Sequence, residues 1–335
     1  MRVARLHGVK DVRIHDEDPP PVPAGSSLVR VTAVGLCGSD LHWFTEGAIG
    51  DAQLGGRPLV LGHEFAGVVE GGPLDGRRVA ADPAIPDFTC EPCLEGNHNL
   101  CLNIKFAGHG SVDGALREYL AWPDRRLHPI PGSVSDAGGA VLEPLGVALH
   151  AFDLGHVKAA SSVAVVGCGP IGLLMIQVTR AAGARHVLAV EPLPHRRAAA
   201  LSLGADLVLT PAEAAEAAAT SQAEVAFEAA GTDDAVGTAM RLARPGARVV
   251  LAGIPDADTT TFSASLARRK GLTLVLVRRM KEMYPRAISL AERGLVDLDA
   301  VVSASYPITE TAAALTEAAA RAGLKVIVRP ARDRP

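Results

Sequence analysis

The chain has 335 residues, 48% of them hydrophobic, which is enough to bury the cores of two domains at roughly 100 to 200 residues per domain. Its 33 basic and 37 acidic residues leave a formal charge of −4, and no basic block is long enough to follow a phosphate backbone, so nucleic acid is excluded as an expected partner. The N-terminal stretch has neither the apolar run of a signal peptide nor that of a membrane span, so we expect a cytoplasmic protein without a membrane contact. Five cysteines, three of them clustered, favour reduced thiols that serve a metal over a disulfide framework.

The first 145 or so residues are predicted to form an irregular, mostly β domain without a long helix. Its short strands are interrupted by Gly, Pro and Asp and lie within "SLVRVTAVG", "LVLGHEFAGVVEG", "RRVAADP" and "GALREYLAWP". From residue 161 onward, apolar β-branched runs alternate with Ala-rich helical stretches, including a solvated helix at 212–219, which indicates a parallel sheet covered by helices. After about residue 282, the helix "ITETAAALTEAAARAG" and the strand "KVIV" are expected to return to the first domain.

A dinucleotide-binding loop is predicted in "VAVVGCGPIG". Gly167 allows a tight turn after a strand, Gly169 lets the backbone approach a pyrophosphate, and Gly172 permits close packing of helix on strand. Pro170 and Ile171 lie between the last two glycines and belong to the same predicted cofactor-binding loop, whereas Cys168 is interpreted as a small buried filler.

The following strand ends in Glu191, where a carboxylate accepts hydrogen bonds from a ribose diol and repels a 2′-phosphate. This arrangement favours NAD as the cofactor. NADP stays open as the alternative, because Arg196 and Arg197 are near enough in sequence to receive a phosphate.

Three separated segments carry candidate metal ligands: "GLCGSDLHWF" with Cys37, "VLGHEFAG" with His63 and Glu64, and "LEPLGVALH" with Glu143. Taken singly, each has an ordinary structural explanation as a buried filler or a satisfied polar pair. Together they supply one thiolate, one imidazole and one carboxylate, which suits a catalytic zinc that keeps its fourth position open. Asp40 is then a candidate acceptor that fixes the tautomer of His63.

These motifs, together with the cysteine cluster ending in "NLC", occur in the order and spacing of the zinc-dependent medium-chain dehydrogenase/reductase family, and the resemblance covers nearly the whole chain. "CGSDLHWFTEGAIGD" and the glutamate in "EPL" resemble the sorbitol and polyol dehydrogenase branch. The resemblance implies an α/β protein in which a mostly-β, GroES-like catalytic domain at 1–146 and 282–335 accompanies a Rossmann domain with a doubly wound parallel sheet at 147–281. It also implies a catalytic zinc on Cys37, His63 and Glu143, with Glu64 beside the metal as a catalytic residue that holds water or exchanges as a ligand.

A second, structural zinc is expected in the loop that holds Cys90, Cys93 and Cys101. Family members usually have four cysteines here, and Asp87 stands in the first position, where a carboxylate oxygen can also ligate zinc. A loop that has lost its metal is the alternative, and His98 is a second candidate for the missing ligand. This site has no open position and therefore a structural role only.

The resemblance places Ser39 and His42 in a proton relay that runs from the substrate hydroxyl, through the nicotinamide ribose, toward solvent, and a histidine suits the last step because it titrates near neutral pH. It aligns Arg279 with an arginine near cofactor and substrate, for which a solvated charge is the alternative. A homotetramer first, and a dimer second, is expected from the resemblance alone.

The predicted reaction is oxidation of a secondary alcohol of a polyol or sugar-like compound to a ketone with NAD. Threonine-type amino-alcohol and simple secondary-alcohol dehydrogenases share the whole apparatus, so both stay open as alternatives. A redox-inactive NAD-binding protein is disfavoured because the candidate catalytic residues occur together. A zinc-free reductase of double bonds or quinones does not need such a ligand set.

Overall fold

The computed structural model describes residues 1–255 and 259–331. The chain divides into two compact units: Met1–Glu143, Tyr284–Glu292 and the described part of Leu298–Pro335 form the first, and Pro144–Met283 with Arg293–Asp297 form the second. The first division falls inside one helix. The segment Arg293–Asp297 belongs to the second unit although the residues before and after it belong to the first, which the sequence does not predict. None of the helices in the described residues has the length and apolarity needed to span a membrane.

The N-terminal part of the first unit is rich in short strands. In chain order these are β1 (Arg2–Gly8), β2 (Asp11–Asp16), β3 (Ser26–Gly35), β4 (Ala48–Ile49), β5 (Ala52–Gln53), β6 (Glu64–Glu70), β7 (Arg78–Ala81), β8 (Ala84–Ile85), β9 (Lys105–Phe106), β10 (Tyr119–Pro123) and β11 (Leu127–Pro129). Three helices lie among and after them: α1 (Gly38–Glu46), α2 (Glu91–Leu94) and α3 (Asp136–Gly155).

The second unit alternates strands and helices. Its strands are β12 (Ser162–Val166), β13 (His186–Val190), β14 (Leu207–Leu209), β15 (Ala223–Glu228), β16 (Ala243–Leu251) and β17 (Thr273–Leu276). Its helices are α4 (Pro170–Ala181), α5 (Pro194–Ser202), α6 (Pro211–Ala217), α7 (Asp233–Leu242) and α8 (Ala264–Lys270). The chain then returns to the first unit with α9 (Tyr284–Glu292), β18 (Val302–Pro307), α10 (Thr311–Ala319) and β19 (Lys325–Arg329).

A seven-stranded sheet organises the first unit, in the order β11-β7-β6-β3-β19-β18, with β10 also paired to β3. In β3 the side chains alternate between buried and partly buried, because successive residues of a strand point to opposite faces. The C-terminal strand β19 pairs with the end of β3, as the "KVIV" segment predicted. This pairing places the C-terminal strand next to the end of β3, where Gly35 lies opposite Glu64 of β6.

The sheet of the second unit has the order β14-β13-β12-β15-β16-β17, and each pair of neighbouring strands is parallel. The order reverses at β12, which has β13 on one side and β15 on the other. Ligands of such sheets bind outside the carboxyl ends of the strands at this reversal. The predicted glycine loop directly follows β12 and therefore lies at this position.

Two sequence-based expectations for the first domain were wrong in detail. The long apolar segment "LVLGHEFAGVVEG" is a strand only from Glu64 onward, and the preceding residues 61–63 are irregular. The N-terminal stretch of this domain was expected to be mostly β without a long helix, but the 20-residue helix α3 begins within it at Asp136, and the nine-residue helix α1 also lies there. Both helices carry predicted site residues: Ser39 and His42 lie on α1, and Glu143 lies on α3.

Candidate active site and metal centres

Asp40 is a buried carboxylate, 1% exposed, that joins two segments carrying predicted metal ligands. Its Oδ2 accepts a hydrogen bond of 3.0 Å from the backbone N–H of Cys37, and its Oδ1 accepts one of 3.1 Å from the N–H of Gly62. Oδ1 also lies 3.5 Å from Nδ1 of His63. Since Nδ1 faces this carboxylate, Nε2 is the ring nitrogen left to bind a metal.

The electrostatics of this pair follow from the same contacts. Burial raises the pKa of Asp40, but the His63 ring and the two backbone donors outweigh burial, so the pKa of Asp40 is lowered. Burial lowers the pKa of His63, while Asp40 and the Cys37 thiol raise it, and the resulting pKa is well above the ordinary value. Asp40 and Cys37 thus both stabilise the protonated form of the ring, whose Nδ1 faces Asp40.

Glu64 follows His63 and has no exposed surface. Its two carboxylate oxygens each lie 2.8 Å from Nζ of Lys325. A Cβ atom at Gly35, opposite Glu64 in the sheet, would approach Oε2 to 2.1 Å, so a larger residue at that position would displace the carboxylate. The carboxylate is thus fixed between a glycine and a buried ammonium group.

Ligand atoms of Cys37, His63 and Glu64 all lie within 4.8 Å of one another, and these three form the group at this site among the residues that the structure describes. One thiol, one imidazole and one carboxylate are donors that zinc accepts, and three protein ligands leave a position for substrate. This donor set therefore fits a catalytic zinc.

Glu143 does not belong to this close group of the described residues. It lies in α3, is 4% exposed, and burial raises its pKa to about 7, a direction that the carboxylate of Glu64 reinforces. Because Glu143 lies outside the close group, its carboxyl group can bind the metal only after it moves or through a bridging water molecule. Direct ligation by Glu143 stays a prediction.

The predicted relay residues lie on the first turns of α1, directly after Cys37. Ser39 is half-buried, and Nδ1 of His42 lies 3.1 Å from the Glu46 carboxylate one turn further along the helix. The sequence did not predict this helix, which follows Cys37 directly in the chain. Their role in proton transfer remains a prediction.

Ligand atoms of Asp87, Cys90, Cys93 and Cys101 also lie within 4.8 Å of one another. Helix α2 begins after Cys90 and places Cys93 toward the same point. The donor set of one carboxylate and three thiols fits a tetrahedral zinc site without an open position. Whether Asp87 and the three cysteines hold a zinc remains a prediction.

The Asp87 carboxylate is oriented by its own neighbours. Oδ1 accepts backbone hydrogen bonds of 2.8 Å from Thr89 and 3.0 Å from Cys90, and Oδ2 accepts one of 2.6 Å from Nδ2 of Asn103. These donors lower the pKa of Asp87, so the carboxylate stays ionised as a ligand must be. The sequence does not reveal Asn103 as a partner, because its contact spans a loop.

The three loop glycines meet three different constraints in the second unit. Gly167 has a φ of +92°, and a Cβ atom there would approach the backbone nitrogen of Ala230 to 2.8 Å. A Cβ atom at Gly172 would approach the carbonyl oxygen of Gly167 to 1.9 Å. At Gly169, in contrast, the nearest atom would be a guanidinium nitrogen of Arg196 at 3.6 Å. The backbone at Gly169 is thus open to a phosphate group, with Arg196 beside it.

Glu191 is 4% exposed and directly follows β13. Its Oε2 accepts a 2.8 Å hydrogen bond from the N–H of Cys168, and its Oε1 accepts one of 3.0 Å from the N–H of Leu193. Arg197 donates to the backbone carbonyls of Glu191 and Pro192 at 3.1 and 2.5 Å. Arg197 thus supports the turn after β13, whereas Arg196 lies by Gly169 in the glycine loop.

Pro170 and Ile171 are the first two residues of helix α4, directly after Gly169.

Arg279 follows β17 in the second unit, half-buried and with a left-handed backbone φ of +54°. Its predicted contact with cofactor and substrate remains a prediction.

The fold and the two donor clusters define a class: an alcohol dehydrogenase with a GroES-like domain and a parallel-sheet nucleotide domain. Family models agree, because the alcohol dehydrogenase GroES-like domain matches residues 23–132 and the zinc-binding dehydrogenase model matches residues 170–293. The chain belongs to the zinc-dependent medium-chain dehydrogenase/reductase family and is polyol dehydrogenase-like within it, which confirms the predicted resemblance and fold class.

Two relatives illustrate this membership. Sorbitol dehydrogenase of Bacillus subtilis strain 168 is 31% identical over 346 residues, with 99% of this chain and 98% of the relative covered. D-xylulose reductase A of Aspergillus niger is 33% identical over 344 residues, with 96% and 95% covered.

Two solved structures are similar along their whole length. An alcohol dehydrogenase from Escherichia coli CFT073 complexed with NADH has a TM-score of 0.89 at 26% identity, covering 98% of this chain and 99% of that one. A zinc-binding dehydrogenase from Sinorhizobium meliloti 1021 bound to NADP has a TM-score of 0.89 at 29% identity, with the same coverage. Structures of this type therefore bind NAD(P), and either form of the dinucleotide occurs among them.

Proposed function

We propose that this protein is an NAD-dependent zinc enzyme that oxidises a secondary alcohol of a polyol or sugar-like substrate to a ketone, reversibly. The convergence of Cys37, His63 and Glu64 on one point carries the proposal. The names of the relatives, a sorbitol dehydrogenase and a D-xylulose reductase, support the substrate class.

Cys37, His63 and Glu64 would hold the catalytic zinc, and Glu143 would contact it directly or through water. When bound, zinc supplies Lewis-acid polarisation that makes a substrate hydroxyl more acidic, which prepares its carbon to release a hydride. The chain itself contributes the orientation of the ligands. Asp40 holds the His63 ring and the backbone of Cys37 in place, so the donor atoms are preorganised.

The hydroxyl proton requires an acceptor before a hydride can leave the same carbon. Ser39 and His42 lie on adjacent turns of α1 beside Cys37, so the helix offers a short path away from the metal ligands. We assign Ser39 to the first transfer and His42 to the delivery of the proton to solvent. The contact with Glu46 orients the His42 ring for this step.

For the cofactor we propose NAD rather than NADP. The Glu191 carboxylate is buried, already oriented by two backbone N–H groups, and follows the strand next to β12. A fixed carboxylate at this position favours a ribose diol and repels a 2′-phosphate. Arg196 beside Gly169 would then contact the pyrophosphate side of the cofactor.

A second zinc in the lobe of Asp87, Cys90, Cys93 and Cys101 would stabilise a loop with three exposed leucines and a small buried core. With four protein ligands it would perform no chemistry. A homotetramer, or failing that a dimer, completes the proposal, with a location in the cytoplasm.

A substrate panel tests the function. Purified protein would be incubated with NAD or NADP and with sorbitol, xylitol, other polyols, threonine and short secondary alcohols, and formation of NADH or NADPH would be followed by absorbance. We expect the highest kcat/KM with a polyol and NAD. Preference for threonine or a simple alcohol would favour one of the alternative dehydrogenases. Binding of NAD without metal or turnover on any alcohol would identify a redox-inactive protein.

A further inference from the structure

Lys325 is a buried cation next to the proposed catalytic metal centre. Its side chain is 3% exposed, and Nζ donates hydrogen bonds of 2.8 Å to both Glu64 oxygens and one of 3.0 Å to the carbonyl oxygen of Leu36. Leu36 precedes Cys37 in the chain. One ammonium group therefore contacts the residue before one metal ligand and the carboxylate of another.

The geometry leaves Glu64 little freedom. Both carboxylate oxygens accept hydrogen bonds from Lys325. Oε2 also lies against the backbone of Gly35, so close that a Cβ atom there would collide with it. A carboxylate shared with an ammonium group donates less charge to a metal ion than a carboxylate without such a partner. Like charges repel, so a buried ammonium group also weakens the binding of a dication in the same low-dielectric region.

We infer that Lys325 is a positioning residue that competes with the catalytic metal for the carboxylate of Glu64 and so limits how tightly this acid binds the metal. The inference rests on the proposed metal centre. Among the described residues, the hydrogen bonds of the Lys325 ammonium group go to Glu64 and Leu36, and its interaction with Cys37 is through space only. We therefore expect Cys37 and His63 to hold the metal more firmly than Glu64 does. Weaker donation from Glu64 leaves the metal a stronger Lewis acid and leaves its open position accessible to substrate.

The test uses the intact protein loaded with Co²⁺, whose absorption bands report the ligands. Metal loss to excess chelator is followed in the wild type and in Lys325→Met, which keeps an apolar chain of similar length and removes the charge. Glu64→Gln assigns the phase that belongs to this site, because the other metal site does not contain Glu64. We expect Lys325→Met to lose this metal at least about tenfold more slowly, with shifted Co²⁺ bands and a lower kcat.

Lys325→Arg is the matched control, because it keeps the positive charge beside Glu64. Its rate of metal loss should stay close to that of the wild type. Equal or faster metal loss in a folded Lys325→Met protein would overturn the inference. A wild-type chain that binds no Co²⁺ at this site would instead overturn the proposed function.

Lys325→Met alone leaves an unpaired buried carboxylate until metal binds, so folding of this variant needs a second comparison. The double variant Lys325→Met with Glu64→Gln removes both charges and is compared with Glu64→Gln alone. Without the Glu64 carboxylate, Lys325 and the metal no longer have a common partner for which to compete. Equal or slightly slower metal loss in the double variant supports the inference, because the repulsion between ammonium and dication also ends when Lys325 is replaced. Much faster loss in the double variant would show that Lys325 acts through Leu36 instead.

Discussion

Oε2 of Glu191 accepts a 2.8 Å hydrogen bond from the backbone N–H of Cys168, the residue between the first two glycines of the nucleotide loop. The acid that we propose to select the ribose and the loop that we propose to receive the pyrophosphate are therefore joined by a hydrogen bond. A change in one is expected to alter the other.

Replacement of Glu191 by alanine should lower the affinity for NAD and relax discrimination against NADP, by about 1 to 3 kcal/mol for the lost charged hydrogen bonds. Both dissociation constants are measured by titration of the fluorescence of the reduced cofactors. Glu191→Gln is the matched control: it keeps the size and loses the charge, so it should relax discrimination while retaining more NADH affinity than alanine. An unchanged preference in both variants would show that this acid does not contact the ribose.

Replacement of Asp87 by alanine should lower the zinc content by up to one ion per chain and lower the melting temperature, with a modest loss of activity. The cause is the loss of one of four donors and of the acceptor for Thr89, Cys90 and Asn103. Elemental analysis and thermal unfolding measure the two effects. Asn103→Ala separates them, because it removes one hydrogen bond and no donor. Zinc stoichiometry equal to that of the wild type in Asp87→Ala would contradict ligation by Asp87.

Replacement of His42 by alanine should slow turnover at and below neutral pH, where the direct release of a proton to water is least favourable. The zinc content should stay at the wild-type level, since His42 is not one of the grouped ligands. Added imidazole should restore part of kcat if the ring carries the proton. A variant with wild-type kcat across the pH range would remove His42 from the relay.

His128 gives the first unit a sensitivity to acid that is independent of the metal ligands. Its ring stacks on Tyr284 with centroids 4.5 Å apart, and its Nε2 has no hydrogen-bond partner in the described part of the chain. Burial, helped by Arg126, lowers the pKa of His128 from 6.5 to about 4. As the pH falls from 6.5 toward 4, the unfolded chain gains a proton that the folded ring does not accept, so stability is lost across this range.

His128→Phe keeps the stacked ring and removes the titration. We expect its melting temperature to rise relative to the wild type as the pH is lowered from about 7.5 to about 5. His195→Gln, at an exposed position, serves as the control and should follow the wild type. A difference between His128→Phe and the wild type that does not change with pH would refute the explanation.

Local patterns allowed much of this architecture to be predicted. One βαβ segment contains the glycine loop, the strand before it and Glu191. Within such a segment, residues close in sequence are also close in space, so their spacing is sufficient to predict the loop and the acid. The strand β19 was predicted from its apolar run. The family resemblance added the order of the two domains, which composition alone does not give.

Contacts between distant residues were beyond prediction from the sequence. In the sequence, Lys325 is an ordinary charged residue at the start of a strand. Only the pairing of β19 with β3 shows that its side chain contacts Glu64. The role of Gly35 is likewise visible only because the sheet places it opposite that carboxylate. Helix α1 was missed because glycine and serine at its start are typical of turns, and the bond from Cys37 to Asp40 stabilises the helix instead.

We propose that Cys37, His63 and Glu64 hold one metal ion that is required for turnover. The most direct measurement is the metal content of the wild type and of Cys37→Ser, together with NADH affinity and polyol-dependent NAD reduction on the same samples. Cys37→Ser should lose one metal ion per chain and its turnover while it binds NADH as the wild type does. Full metal content and full activity in Cys37→Ser would contradict this proposal.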